Sequence, residues 1–115
     1  MSYDLRLAVK VEGADDWFTV ATPEYDSPTY NLGAMFRKCM GWDFEQGKYY
    51  RVDEVIDNII HGICELIDNE REYLEYNPPN GWGDTKFALH ALRSLLECIT
   101  DTTNIVPMKH LWVAW

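Results

Sequence analysis

Cysteine is scarce in this chain: Cys39, Cys64 and Cys98 are the three in 115 residues, with no close spacing among them. An odd, low count excludes a disulfide framework and fits a reducing compartment. Long apolar runs are missing too, and none approaches the roughly 20 residues that a membrane-spanning helix needs. No basic stretch followed by an apolar one opens the chain, so no secretory leader is expected. Gly33, Gly41, Gly47, Gly81 and Gly83 make neither a G-x-G-x-x-G nor a Walker pattern, and there is no G-x-S-x-G elbow. Positive charge is short as well, with ten Lys and Arg against nineteen Asp and Glu, for a net −9. Direct binding of nucleic acid is therefore disfavoured, since it requires cations to displace counterions from phosphate. A basic protein partner is not.

What is present is an ordinary globular composition, 47% hydrophobic and 25% charged. One domain over residues 1–115 is expected, long enough to bury a core without staples. The negative charge is uneven. Residues 1–31 carry two basic and six acidic groups, and residues 32–52 carry four basic and two acidic. Residues 53–77 carry one basic and eight acidic groups, while 78–115 balance at three each. The middle segment alone thus holds −7 of the −9.

That segment, DEVIDNIIHGICELIDNEREYLEYN from Asp53 to Asn77, is read as a long central helix capped by Asp53. On a 3.6-residue period Val55, Ile56, Ile59, Ile60, Ile63, Leu66, Ile67 and Leu74 fall on one side. Glu54, Asp57, Glu65, Asp68, Glu72 and Glu75 collect on the other. Asn69 and Glu70 fall back onto the apolar side, so the last two turns project past the core or meet something other than the sheet. Before this helix, Tyr3 to Val11 alternates strictly and predicts a half-buried strand. Gly13 to Asp16 is a turn, and Trp17 to Ala21 closes a hairpin. After a loop, Asn31 is expected to cap a short helix to about Met40, which Gly41 ends. Trp42 to Val52 reads as a connection. Pro78-Pro79 stops the long helix, Asn80 to Gly83 turns, and Asp84 caps a third helix to about Thr100. His110 to Trp115 is a last strand. The order predicted is ββαααβ, an α+β fold whose three-stranded antiparallel sheet carries the helices on one face. The last strand is expected beside the first.

Three stretches carry a resemblance: Met1-Ser2-Tyr3-Asp4-Leu5, Thr29-Tyr30-Asn31-Leu32-Gly33-Ala34-Met35-Phe36-Arg37 and Asn80-Gly81-Trp82-Gly83-Asp84-Thr85-Lys86-Phe87-Ala88-Leu89. They are similar to a group of small proteins carried by bacteriophages and prophage-bearing bacteria. The resemblance implies a mobile-element origin; the cysteine usage and the opening residues place the expected protein in the cytoplasm, that of a host cell. It implies no activity and no catalytic residue.

Each candidate for chemistry has a plainer account. His61 and Cys64 on one helix, with His90 and Cys98 on the next, have the residue types of a zinc site but lack a Cys-x-x-Cys knuckle. Small buried cysteines and surface histidines explain them better. Asp57, His61 and Glu65 at i, i+4 and i+8 share a side and suit a proton relay, yet helical charge pairing accounts for them. Cys39 follows Arg37 and Lys38 but has an apolar register, and reads as core. The tryptophans lie in loops or at element ends, where Trp42 and Trp82 are the best candidates for a binding surface.

The six carboxylates carry the functional expectation. Glu54 to Glu75 spans 21 steps, about 32 Å of continuous helix, with neighbouring acids roughly 5–6 Å apart, near the phosphate spacing of a nucleic-acid strand. A solvated helix face is the bland alternative. The expectation is a non-enzymatic binding protein that engages a basic partner through Glu54, Asp57, Glu65, Asp68, Glu72 and Glu75 with Trp42 and Trp82. A host nucleic-acid-handling or CRISPR-type defence enzyme has the matching basic channel. No cofactor or metal is expected, and the state is a monomer or homodimer. The alternatives are a homo-oligomeric accessory protein, built through Trp112 and Trp115 or the outer sheet face, and a small ligand binder using Asp43, His90 or the Trp loops.

Overall fold

Alternation in the first strand sets the two sides of a four-stranded antiparallel sheet. The computed structural model describes residues 1–77 and 84–115. Strand β1 (Arg6–Lys10) pairs with β2 (Trp17–Ala21) on one side and with β4 (Leu111–Ala114) on the other. A two-residue strand β3 (Tyr50–Arg51) pairs with β4, so the spatial order is β2-β1-β4-β3. The fold is α+β as expected, and β4 lies beside β1. The sheet, however, has four strands rather than three, and β3 precedes the long helix. Two residues are too few for a period-2 pattern to register. Only pairing with Val113 and Trp112 makes Tyr50 and Arg51 a strand.

Leu5, Leu7, Leu111 and Val113 are fully buried and join the core cluster. Tyr3 and Leu5 precede the regular strand but keep its alternation, their amides donating to Pro28 O and Asp26 O at 2.8 Å. Three α-helices follow among the described residues: α1 (Gly33–Met40), α2 (Val52–Asp68) and α3 (Thr85–Thr102). A 3-10 turn (Tyr30–Leu32) leads into α1, with Thr29 rather than Asn31 as its side-chain cap. Gly41 ends α1 at φ 61°, a left-handed conformation that costs glycine little. Asp84 caps α3 as its position implied, its Oδ1 accepting from the amides of Lys86 and Phe87 at 3.0 and 3.1 Å. Asp53 is not the cap of α2. The helix starts at Val52 with Arg51 in the cap position, and Asp53 instead pairs with Arg51 across 2.6 Å in the first turn.

Helix α2 is central, touching α1, α3 and strands β3 and β4. Its Gly62 is the point of closest approach. A Cβ there would lie 2.7 Å from Met40 Cγ and 3.0 Å from Leu92 Cδ1, so a larger residue would hold all three helices apart. The far end of the core is aromatic. Trp115, 1% exposed, stacks on Phe44 at 4.5 Å between centroids and meets Phe36 at 5.0 Å and Tyr3 at 5.9 Å. The connection after α1 wraps over this cluster. Gly47 N donates to Trp115 O at 2.9 Å, and Arg37 lies 4.4 Å over the Phe44 ring while its Nε donates to Phe44 O. Replacing Trp115 by Ala removes this packing centre and leaves a cavity just past the end of β4. The expected loss is about 3–5 kcal/mol, read as a fall in the urea midpoint; a loss under about 1 kcal/mol would show that the ring contributes little.

Candidate functional site

The carboxylates of the middle segment stand on two different kinds of helix. On α2, Val52, Val55, Ile59, Gly62 and Leu66 are buried, while Glu54, Asp57, His61, Cys64 and Asp68 are exposed. The α-helix then ends. Asn69 leaves helical geometry at φ −124° and ψ 34°, and residues Glu70–Tyr76 continue as a 3-10 helix. The continuous helix expected from Asp53 to Asn77 is therefore broken at Asn69, and with it the evenly spaced 32 Å row.

The break has a physical cause in the sequence itself. An unbroken α-helix would turn Asn69 and Glu70 toward the core, where polar groups without partners are costly. Instead Asn69 Nδ2 donates to Glu65 Oε2 at 2.7 Å, and Glu70 Oε1 accepts from the Thr85 hydroxyl at 3.0 Å. The tighter 3-10 winding brings residues three apart into line. Tyr73, 3% exposed, and Tyr76 both come to lie under Lys38, whose ammonium is 5.1 and 5.0 Å from their rings. Glu72 and Glu75 share the spacing of three. Lys38 reaches Glu75 Oε1 at 4.0 Å and donates to Glu72 O at 3.4 Å.

Of the six acids expected in the row, Glu54, Asp57, Asp68, Glu72 and Glu75 are exposed and Glu65 is turned inward. Glu54 lies 3.6 Å from Arg51. Asp57, Asp68 and Glu72 have no ion-pair partner among the described residues. Trp42 is half-buried against Phe44, Tyr50 and Trp115 at 5.6, 4.8 and 6.4 Å, at the edge of the aromatic core and not in an open loop. Trp82, the other expected contact, lies outside the described residues, as do Pro78-Pro79 and the turn expected over residues 80–83.

His61 serves the fold. Its Nδ1 is 2.8 Å from Cys39 O, an oxygen that only accepts, so Nδ1 carries the proton. Asn58 Nδ2 likewise donates to Met40 O at 3.0 Å. Together they satisfy terminal carbonyls of α1 that have no partner within that helix. His61 Nε2 is 3.7 Å from Glu65 Oε1, while Asp57 makes neither a hydrogen bond nor an ion pair with the ring. Cys64 is exposed, Cys98 half-buried and His90 exposed beside Tyr25, its ring 5.2 Å away. No group of three His, Cys, Asp or Glu suited to a metal occurs among the described residues. Asp43 pairs with Arg37 at 3.5 Å. No helix among the described residues is long and apolar enough to cross a membrane.

A second polar surface, which the one-dimensional reading did not assemble, lies on the sheet face opposite the helices. Antiparallel register places Lys10 beside Trp17, Ala8 between Thr19 and Trp112, and Arg51 beside Trp112. Trp17 and Tyr49 stack at 4.4 Å with planes 2° apart, and Trp112 meets Trp17 edge-on at 5.8 Å. Ala8 is fully buried beneath this layer although it faces away from the helices. The alternation of Arg6, Ala8 and Lys10 was the available signal, but the partners come from three other strands and loops. The chain matches no protein-family model, no curated protein and no solved structure.

Burial shifts two groups beneath the acidic face. The Cys39 thiol is pushed up to about 12 from an ordinary 9.0, chiefly by burial. Burial and then the Glu65 carboxylate push the Tyr73 phenol up to about 12 from 10.0. Each binds its proton more tightly folded than unfolded, so its contribution is complete below the ordinary value and disappears as pH rises through the folded one. Stability is expected to fall between about pH 9 and 12, with Cys39→Ala flattening the lower part of that fall in urea titrations. A slope that is the same with and without Cys39 would contradict it.

Proposed function

We propose that this protein is a non-enzymatic binding module that presents an acidic surface to a basic protein partner. The observation that supports this is the exposure of Asp57, Asp68 and Glu72, without ion pairs among the described residues, within a segment carrying eight acidic groups and one basic. Carboxylates left without cations in their own molecule keep their field for an approaching one. That field raises the rate of encounter with a basic patch and falls with added salt.

The break at Asn69 changes the form of the surface. A rigid copy of a nucleic-acid backbone is no longer the basis of recognition. The surface is instead a bent one, with Glu54, Asp57 and Asp68 on α2 and Glu72 and Glu75 on the 3-10 segment. A partner must fit that bend, so charge alone does not define it. The likeness to phage and prophage proteins points to a partner inside a bacterial host. Among such proteins, nucleic-acid-handling enzymes, including CRISPR-type defence effectors, have the basic channels that complement this surface.

The test is inhibition. Purified protein added to guide-loaded CRISPR-type effectors is expected to reduce DNA binding by one of them, with inhibition weakening as salt is raised. Reversing Asp57, Asp68 and Glu72 to Lys together should lower inhibition at least about a hundredfold, since three favourable charge contacts become three repulsions. The same variant should melt like the parent. Inhibition unchanged by the triple reversal would exclude the acidic surface, and no inhibition of any effector would exclude this partner class.

A further inference from the structure

The cations of this acidic protein are not spread evenly over it. Arg6, Lys10, Arg51 and Lys109, four of the ten Lys and Arg, lie on or beside the outer sheet face, and His110 joins them. They are interleaved with rings. Arg6 sits 5.0 Å over Tyr49 and donates to its hydroxyl at 3.0 Å, while the Lys10 ammonium is 5.7 Å from the Trp17 ring. One end of this layer opens into a groove of about 510 Å³, lined by Val9, Lys10, Arg51, Lys109, His110 and Trp112.

Local neutralisation is incomplete there. Asp4 lies 3.7 Å from Arg6, and Asp53 and Glu54 hold the Arg51 guanidinium. Lys10 and Lys109 have no carboxylate partner among the described residues. The buried Nε of Arg51, in the groove wall, has no hydrogen-bond acceptor among them either. A merely solvated sheet face would carry lysines, but it would not need an indole beside them. An anion-binding site alone would need the lysines but not the indole. The combination suits a ligand that is anionic at one end and a flat ring at the other.

Size and charge narrow the class. Sites for small molecules usually occupy roughly 300–1,000 Å³, so the groove is of the right order for one such ligand. A long polyanion would have to engage many cations and approach a molecule of net charge −9. A single nucleotide needs only two or three. We propose that this groove binds a nucleoside phosphate, with its phosphates between Lys10 and Lys109 and its base against Trp112. The site adjoins the acidic surface of α2 where Arg51 pairs with Glu54, but its lysines and indole are not part of that surface, and it stands whether or not that surface binds a protein.

The experiment is a titration of the isotope-labelled full chain with magnesium-free ATP, followed by amide and indole resonances. Saturable shifts are expected at Lys10, Arg51, Lys109, His110 and the Trp112 indole. Adenosine and inorganic tripolyphosphate, each lacking one half of the ligand, should bind more weakly than ATP. The double reversal Lys10→Glu and Lys109→Glu involves two exposed side chains, and should weaken ATP binding at least about tenfold. A Trp112→Leu variant should bring ATP down to the level of tripolyphosphate; an unchanged melt of the lysine variant keeps the test valid if Trp112→Leu fails to fold. The proposal is overturned if millimolar ATP causes no saturable shift, if tripolyphosphate binds as well as ATP, or if the lysine reversal has no effect. A short thymidine oligonucleotide binding far more tightly than ATP would also overturn it, by making a strand the ligand.

Discussion

The insertion of the last strand between β1 and β3 is the contact on which the rest of the molecule depends. β4 is the final element in the chain and an inner strand of the sheet, so the β1–β2 hairpin and β3 have no common edge without it. The residue that follows it, Trp115, is also where α1, the connection after α1 and Tyr3 converge. These contacts join residues from 68 to 112 positions apart, and closing such loops costs entropy before any of the packing is gained. The aromatic cluster offsets that cost by gathering many large apolar surfaces at one place.

Because β4 completes the sheet, it also decides how charge is distributed over the finished molecule. One side of the sheet takes the helices, and α2 turns its carboxylates outward from there. The opposite side gathers Arg6 and Lys10 from β1, Arg51 from β3, and Lys109 and His110 from the approach to β4. Lys10 and Lys109 are thus gathered on or beside the outer sheet face, away from the exposed carboxylates of Asp57, Asp68 and Glu72. The net charge of −9 averages over this difference and describes neither side. Exclusion of nucleic acid on net charge applies to long polyanions and says little about a single phosphate group near two lysines.

The acidic side shows how far periodicity can be followed. Val55, Ile59 and Leu66 are buried as the 3.6-residue pattern requires, but Ile60, Ile67 and Leu74, assigned to the same side, are exposed. The same pattern puts Asn69 and Glu70 on the apolar side, and that conflict in register marked the place where the α-helix gives way. The outcome was not legible, because it depends on Tyr73 finding Lys38 and on Glu70 finding Thr85, residues far along the chain. Glu65 was assigned to the open row by the same wheel. It is held by Asn69 and His61, each four residues away, and His61 is oriented by donating its Nδ1–H to the Cys39 carbonyl of α1. Trp42 stood in a stretch read as a loop, and its place at the rim of the Trp115 cluster required knowing where residue 115 lies.

Local pattern alone determined the β1–β2 hairpin, the amphipathic helices, the Asp84 cap and the left-handed stop at Gly41. The helices and their ends are governed by neighbours within four residues, and the hairpin by strands that a short turn joins between Lys10 and Trp17. It also determined that residues 53–77 would be strongly acidic, since composition needs no fold. Tertiary structure decided the fourth strand, the bend at Asn69, the burial of Trp42 and the meeting of Lys10, Arg51, Lys109 and Trp112. Those features arise from strand register and helix docking, in which a residue's environment is set by partners that sequence distance does not reveal.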